Sequence, residues 1–251
     1  MKFLIIIPTL NEHKNISLIY NKIFKIFKKN VEILFIDDNS SDGSKEEIID
    51  LKKKNKKVNY IFRKKKLGIG SAHKLGIKIA KTRKYQYVCT MDCDGTHDPK
   101  TIKSMFNLIK KFDLVITTRF KYKNSLKGWP LKRIFITKAR YYLVSFILNS
   151  KLDSSGGFRL YDLKKIKIKD IFLAKDKNYN FFWESIFILE RKKYKIAEIP
   201  IILPNRTLGS SKMRFADIFY GIFYLFKIYI IHKLKNIDKL EKILLITLVQ
   251  L

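Results

Sequence analysis

The chain reads as an α/β protein with a mostly parallel, doubly wound sheet flanked by helices. Three observations predict this. Apolar β-branched runs of strand length recur through the first half, amphipathic stretches of helix length alternate with them, and polar clusters follow the runs.

In order, "FLIII" (3–7) is short, apolar and closed by Pro8. It predicts a buried first strand rather than a secretion signal, because no small-residue cleavage site follows. "VEILFID" (31–37), "VNYIF" (58–62), "YVCTMD" (87–92) and "DLVITT" (113–118) continue the strand series. Helical segments are expected near 14–28, 43–54, 69–82 and 99–111, with "SSDGS" and "THDPK" as start signals through serine, aspartate and a first-turn proline. From about residue 120 the pattern changes to a basic, aromatic stretch whose part from Trp129 to Leu148 has helical periodicity. "LDSSGGFRLY" then predicts a glycine turn entering a strand, "NYNFFWESIFILERKKY" a buried helix and "KIAEIPIILPNR" a strand. "RFADIFYGIFYLFKIYIIHKLK" is an aromatic, amphipathic helical tail.

A chain of 251 residues can bury one sizeable core. It carries 53 Lys plus Arg against 22 Asp plus Glu, a net charge of +31. Nucleic acid, an anionic membrane surface or a phosphorylated substrate would each suit that charge. Lys, Ile, Asn, Phe and Tyr are all over-used, as A/T-rich codons would produce, so charge alone selects no partner. No run approaches the roughly 18 apolar residues of a spanning helix. Cys89 and Cys93 have neither metal-ligand nor disulfide spacing, which fits a reducing cytoplasm.

The polar residues beyond the strands carry the chemistry. Pro8, Thr9, Asn11 and Glu12 follow the first strand, Asp37, Asp38 and Asp42 the second, and Asp92, Asp94 and Asp98 the fourth. In a doubly wound sheet such strand ends line one crevice, where ligands bind. Crowded carboxylates need a counter-ion, and Mg²⁺ or Mn²⁺ suits oxygen ligands shared with a substrate's phosphates. Asp92 and Asp94 are spaced so that both can reach such an ion. Structural alternatives are a capped helix start at Asp98–Pro99 and an Asx turn in "IDDNSSDGS". Gly68, Gly70 and Gly76 do not complete a dinucleotide fingerprint, because His73 stands where the third glycine belongs. Gly68 and Gly70 are expected to let this turn pass close under a ligand or to start the helix. "DCDGT" invites comparison with phosphatases that use an aspartate nucleophile, but it follows the wrong strand and lacks their downstream acidic pair. His97 alone among the histidines lies within a motif, with helix-start packing as its expected role.

The ordered set "IIIPTLNE", "FIDDNSSDGS", "MDCDGTHDP", "SSGGFRLY", "KIAEIPI" and "NRTLGSSKM" resembles the family 2 glycosyltransferases over roughly residues 3 to 213. It looks most like their dolichyl- or polyprenyl-phosphate mannose synthase branch. The resemblance implies a GT-A type, Rossmann-like fold. A glycosyltransferase domain would span 1–212, with a nucleotide-binding half (1–118) and an acceptor-binding half (119–212), followed by a membrane-interfacial helical tail (213–251). By the same likeness Pro8, Thr9, Asn11 and Glu12 would contact the nucleotide, with Asp37 and Asp38 near base and ribose and Asp92 and Cys93 also among the nucleotide-binding residues. Asp92 and Asp94 match the metal pair, with Cys93 where alanine is common. Glu198 is favoured over Glu184 as a third ligand.

Arg119 and Arg133 match the family's acceptor-phosphate arginines, and Thr137 stands in place of its serine. Lys138 and Ala139 replace an arginine and a glycine, which leaves the parts of Lys138 and Arg140 open. Arg206 and Lys212, in a mobile loop, would neutralise the leaving nucleotide. An ionised lipid phosphate needs cations to bind and orient it more than a general base.

The implied reaction is inverting transfer of a hexose from a nucleotide-sugar donor to a polyprenyl or dolichyl monophosphate, with mannose from GDP-mannose the favoured pair. The implied location is cytoplasmic, peripherally on the inner face of an anionic membrane, with room for a separate membrane-anchoring partner and no role for nucleic acid. Alternatives are a UDP-sugar-dependent member of the family acting in surface polysaccharide or lipid-linked glycan assembly, with Glu184 as base, and, more remotely, a phosphatase or a basic nucleic-acid-binding protein. The last leaves the acids and amides at the strand ends without a purpose.

Overall fold

Continuous burial on both faces makes a strand of the first apolar run. Phe3, Ile5 and Ile7 of β1 (Phe3–Thr9) point into one apolar layer, and Leu4 and Ile6 into the other. The computed structural model describes residues 3–205 and 215–249, apart from the side chains of Lys29, Phe215 and residues 234–249. In it, β1 is joined by β2 (Val31–Asp37), β3 (Val58–Phe62), β4 (Tyr87–Thr90), β5 (Leu114–Thr118), β6 (Arg159–Asp162) and β7 (Ile196–Pro200). The seven strands form one sheet in the order β3-β2-β1-β4-β6-β5-β7. All neighbours are parallel except β6, which runs against both β4 and β5.

The strand order reverses between β1 and β4, a switch point beyond whose carboxyl ends a crevice opens. The reversed β6 adds to that crevice. An antiparallel strand enters where its parallel neighbours leave, so the "DSSGG" turn before β6 lies at the carboxyl ends of β4 and β5.

Helices cover both faces. Ile16, Ile19 and Ile23 of α1 (Asn15–Phe27), Ile48 and Leu51 of α2 (Ser44–Lys54), and Ile102, Met105 and Ile109 of α4 (Thr101–Ile109) bury against one face. The other receives Ala72, Ile77 and Ala80 of α3 (Ile69–Thr82) and Phe181, Ile186 and Leu189 of α7 (Asn180–Arg191), with Ile171 of the short α6 (Ile168–Ile171). A third cluster joins Val144 and Leu148 of α5 (Leu131–Leu148), Trp183 and Phe187 of α7, and Tyr224 and Leu225 of α8 (Phe215–Val249).

Gly68 starts α3 and lines the cavity, as expected, while Gly70 and Gly76, inside the helix, serve packing. A Cβ on Gly70 would stand 2.5 Å from Phe181 Cβ, and one on Gly76 2.6 Å from Ile6 Cγ2. Absent side chains let α3 press directly on α7 and β1. Gly68, at φ +93°, takes a conformation that favours glycine and presents its N–H to Asp38 Oδ2 at 2.8 Å. Cys89 and Cys93 are buried free thiols, and burial raises both of their pKa values.

Candidate functional site

Four successive backbone N–H groups at the exit of β1 have lost their sheet partners and precede the first turn of α1. The next βα turn satisfies them with side chains. Asn11 N–H donates to Ser40 Oγ (2.8 Å), Glu12 N–H to Ser44 Oγ (2.9 Å), His13 N–H to Asp42 Oδ2 (3.0 Å) and Lys14 N–H to Glu47 Oε2 (2.9 Å). This is the local reason for the serines and acids of "NSSDGSKEE": one turn is built on the other. Asp37 is fully buried, accepting from Thr9 Oγ1 (3.0 Å), Ser40 N–H (2.8 Å) and Ser40 Oγ–H. Asp38, also buried, accepts from Arg63 Nη1 (3.0 Å) and from the N–H groups of Leu67 (2.7 Å) and Gly68 (2.8 Å).

Beyond the switch point lies a cavity of about 640 Å³. Pro8, Thr9, Glu12, Asp38, Asp92, Cys93, Asp94, Arg119, Arg133 and Thr137 line it, which brings together residues that are up to 129 positions apart in sequence. Asn11, Asp37 and Glu198 do not line it. Asn11 turns its side chain to the second βα turn, accepting from Ser41 N–H at 2.9 Å, and Asp37 is enclosed by the groups just named. Glu198, expected as a third metal ligand, is displaced by its register: it sits opposite Ile116 on β7, accepting from Asp153 N–H (2.6 Å) and pairing with Lys121 Nζ (3.1 Å). Glu184 is directed elsewhere, accepting the N–H groups of Lys175 (2.9 Å) and Asp176 (3.0 Å) and the Tyr224 hydroxyl (3.1 Å). Burial pushes the Glu184 pKa up despite those donors. Arg206 and Lys212 lie outside the described residues.

The strand predicted over 87–92 ends at Thr90 because Asp92 N–H leaves the ladder for His97 Nδ1 (3.0 Å). His97 is buried, stacks on Phe158 with ring centroids 4.9 Å apart, and holds Nε2 3.9 Å from Asp92 Oδ2. Its role therefore exceeds helix-start packing: it fixes the backbone of the D-x-D turn. The acceptor at Nδ1 places the ring proton on Nε2, toward the Asp92 carboxylate. Asp94 Oδ1 accepts from Thr96 N–H (3.1 Å) and Thr96 Oγ1 (2.7 Å), so the second acid is braced within its own turn.

The donor set fits a hard divalent cation of the Mg²⁺ or Mn²⁺ kind. It offers two neighbouring carboxylates, and a Cβ on Gly157 would stand 3.4 Å from Asp92 Oδ1, so glycine leaves that side of the carboxylate open. Among the described residues no group of three His, Cys, Asp or Glu side chains is placed to hold a metal. Such an ion would complete its shell from water and substrate.

On α5, Arg133, Ile136, Thr137 and Arg140 follow helical spacing and all line the cavity, as does Arg119 just after β5. Trp129 carries the Arg133 guanidinium 3.6 Å from its ring centroid. Burial and the charge of Arg119 bring the Arg140 pKa down to about 10, with Asp153 opposing. For Arg140, whose part the sequence left open, the signal is its seven-residue step beyond Arg133; for His97, expected only to pack a helix start, it is the place three residues after Asp94. Asp153 had no comparable signal.

A family model described as "Glycosyl transferase family 2" matches residues 4–169. Among curated proteins, an undecaprenyl-phosphate mannosyltransferase of Micrococcus luteus is 29% identical over 214 residues, covering 85% of this chain and 88% of that one. A polyprenol monophosphomannose synthase of Mycolicibacterium smegmatis is 28% identical over 223 residues, covering 88% of this chain and 84% of that one. Among solved structures, glucosyl-3-phosphoglycerate synthase of Mycobacterium tuberculosis, in complex with Mn²⁺, UDP and phosphoglyceric acid, superposes with a TM-score of 0.62. That match has 15% identity and covers 90% of this chain and 76% of that one.

Proposed function

The chain belongs to glycosyl transferase family 2, with the GT-A type of fold, and from that premise we propose that it transfers a mannosyl group from a nucleotide-sugar donor, GDP-mannose, to a polyprenyl monophosphate. The observation that carries this reading is one cavity holding both a carboxylate pair, Asp92 and Asp94, and a set of cationic and hydroxyl side chains, Arg119, Arg133, Thr137 and Arg140. The two curated relatives named above support the acceptor and the sugar.

In this reading Pro8, Thr9, Glu12 and Asp38 seat the nucleoside, and Asp92 and Asp94 hold the cation. When bound, that ion supplies positive charge to the donor's diphosphate. Arg119, just after β5, and the arginines of α5 bind the acceptor's phosphate and orient one of its oxygens toward the anomeric carbon. That oxygen is already ionised at neutral pH, so no proton need be removed. Accordingly Glu184, the base that a sugar-hydroxyl acceptor would call for, lies outside the cavity with its carboxylate saturated. Direct displacement inverts the anomeric configuration.

Lipid substrate also requires a bilayer within reach. No helix among the described residues is long and apolar enough to cross a membrane. Instead α5 and α8 present Phe135 (74% exposed), Phe146 (87%), Phe219 (72%) and Phe223 (69%) to solvent, and the same two helices also supply Arg133, Asp217 and Ile218 to the cavity lining. These helices are proposed to lie on the bilayer surface, with the cavity mouth facing the lipid phosphate.

The test is to incubate the protein and Mn²⁺ with a panel of labelled nucleotide sugars, with and without a short polyprenyl phosphate. Organic-phase label from GDP-mannose alone is the expected result, and label from a UDP-sugar would replace the donor assignment. Asp92→Ala and Asp94→Ala should each abolish turnover while leaving the fold intact by circular dichroism. Unchanged turnover in either would remove the metal pair from the mechanism.

A further inference from the structure

One edge of the Arg119 guanidinium is held closely. Asp153 Oδ2 accepts both the Arg119 backbone N–H and Nε–H, each at 2.9 Å, and Oδ1 accepts Nη2–H at 2.7 Å. Ser155 Oγ takes a further Nη2–H at 2.5 Å. Nη1 makes no hydrogen bond among the described residues, so one nitrogen of a cavity-lining guanidinium is left for a ligand.

Asp153 is itself fixed from behind. It is 1% exposed, and its N–H donates to Glu198 Oε1 at 2.6 Å, while Glu198 Oε2 pairs with Lys121. The far side of its turn is pinned by the buried Arg159, whose Nη2 donates to Ser154 C=O and Nε to Gly156 C=O, each at 2.8 Å. Although burial alone would raise it, Arg119 holds the Asp153 carboxyl below the usual carboxylate range.

We propose that Asp153 is a positioning residue: it locks one edge of the Arg119 guanidinium and turns Nη1 toward the phosphate of the acceptor, with Glu198 anchoring Asp153 by its backbone. This rests on the acceptor reading above. It gives Glu198 a task other than metal ligation, and it explains why a basic site keeps a buried carboxylate beside two arginines. A flexible arginine binds phosphate as one of many rotamers, whereas one already held in place loses less freedom on binding.

The sign of the effect separates positioning from plain electrostatics. By Coulomb's law alone, removing a negative charge beside Arg119 and Arg140 would tighten anion binding. The clamp predicts the opposite. The probes are farnesyl phosphate and butyl phosphate, titrated against the fluorescence of Trp129, with Trp183 buried in the core as a constant background.

Asp153→Asn should weaken both phosphates by at least about tenfold, and Glu198→Ala, which leaves the charge beside the arginines untouched, by about threefold. Unchanged or tighter binding of butyl phosphate by Asp153→Asn, with a wild-type near-ultraviolet spectrum, overturns the proposal. If Asp153→Asn does not fold, unchanged binding by Glu198→Ala overturns it. Wild-type protein that binds both probes equally would remove the prenyl acceptor while leaving the clamp to be read on butyl phosphate. Wild-type protein that binds neither would sink both.

Discussion

His73, in the first turns of α3, stands where a dinucleotide fingerprint would place its third glycine, and its environment has a measurable consequence. It is fully buried, packs edge-on to Phe182 at 5.0 Å, and neither ring nitrogen has a hydrogen-bond partner. Burial first, and then the charge of Arg159, brings its pKa down to about 3 from the ordinary 6.5. The folded chain therefore keeps the ring neutral across a range in which the unfolded chain protonates it. Stability from this group is fully present above about pH 6.5 and declines as pH falls toward 3, at up to about 1.4 kcal/mol per pH unit. Urea unfolding of wild type and His73→Leu at pH 7 and pH 5 should show the variant losing less stability on acidification; equal losses would contradict the assignment. Residue types at the site were legible because carboxylates at strand ends in a basic chain demand an explanation. Asp92 and Asp94 were readable on that ground, whereas Arg119 and Arg133 came from the family resemblance. Glu198 was misplaced because sequence does not say which neighbour a β7 side chain will meet, and that neighbour is Asp153 N–H.

At the scale of elements, the packing of α3 on α7 depends on a missing side chain. Gly70→Ala would place a methyl 2.5 Å from Phe181 Cβ and 2.7 Å from the Asn178 carbonyl oxygen, a backbone atom that cannot swing away. Overpacking of this kind costs about 1–3 kcal/mol, which outweighs the helix-propensity gain of about 1 kcal/mol from replacing glycine. Denaturant titration should therefore show a net loss, and a stabilised variant would mean the two helices can part at little cost. Asn178 and Tyr179 line the cavity together with Gly68 and Ile69, so the Asn178 carbonyl that the new methyl would meet belongs to a cavity-lining residue. The helices near 14–28, 43–54 and 69–82 were readable from amphipathic spacing and start signals, and appear as Asn15–Phe27, Ser44–Lys54 and Ile69–Thr82. The end of β4 was not, because it is set by a hydrogen bond from Asp92 N–H to His97, a residue outside the strand.

For the whole molecule, the net charge of +31 and the exposed aromatic faces of α5 and α8 act together. Leu131–Leu148 contains four cations and no acid, with Lys132 and Lys138 exposed, and in the proposed reading this charge draws the helix toward an anionic bilayer. Sedimentation with vesicles of mixed neutral and anionic phospholipid should pull the protein down, and with neutral vesicles far less. Raising salt from about 0.1 M to about 1 M, which shortens the screening length from ~10 Å to ~3 Å, should release much of it. Replacing Phe219 and Phe223 with serine should weaken binding about tenfold or more, since each ring buries apolar surface worth about 1.5–3 kcal/mol. Salt-independent binding, or none, would take the membrane out of the proposal. The sequence alone determined the alternation of strands and helices, the crevice beyond the strand ends and the residue types in it, because those follow from periodicity and local chemistry. Only the tertiary structure decided that β6 runs backward, bringing Asp153 to Arg119 and leaving Glu198 behind it. Strand direction and the partners of a buried charge depend on which surfaces meet across the sheet, and no local pattern encodes that meeting.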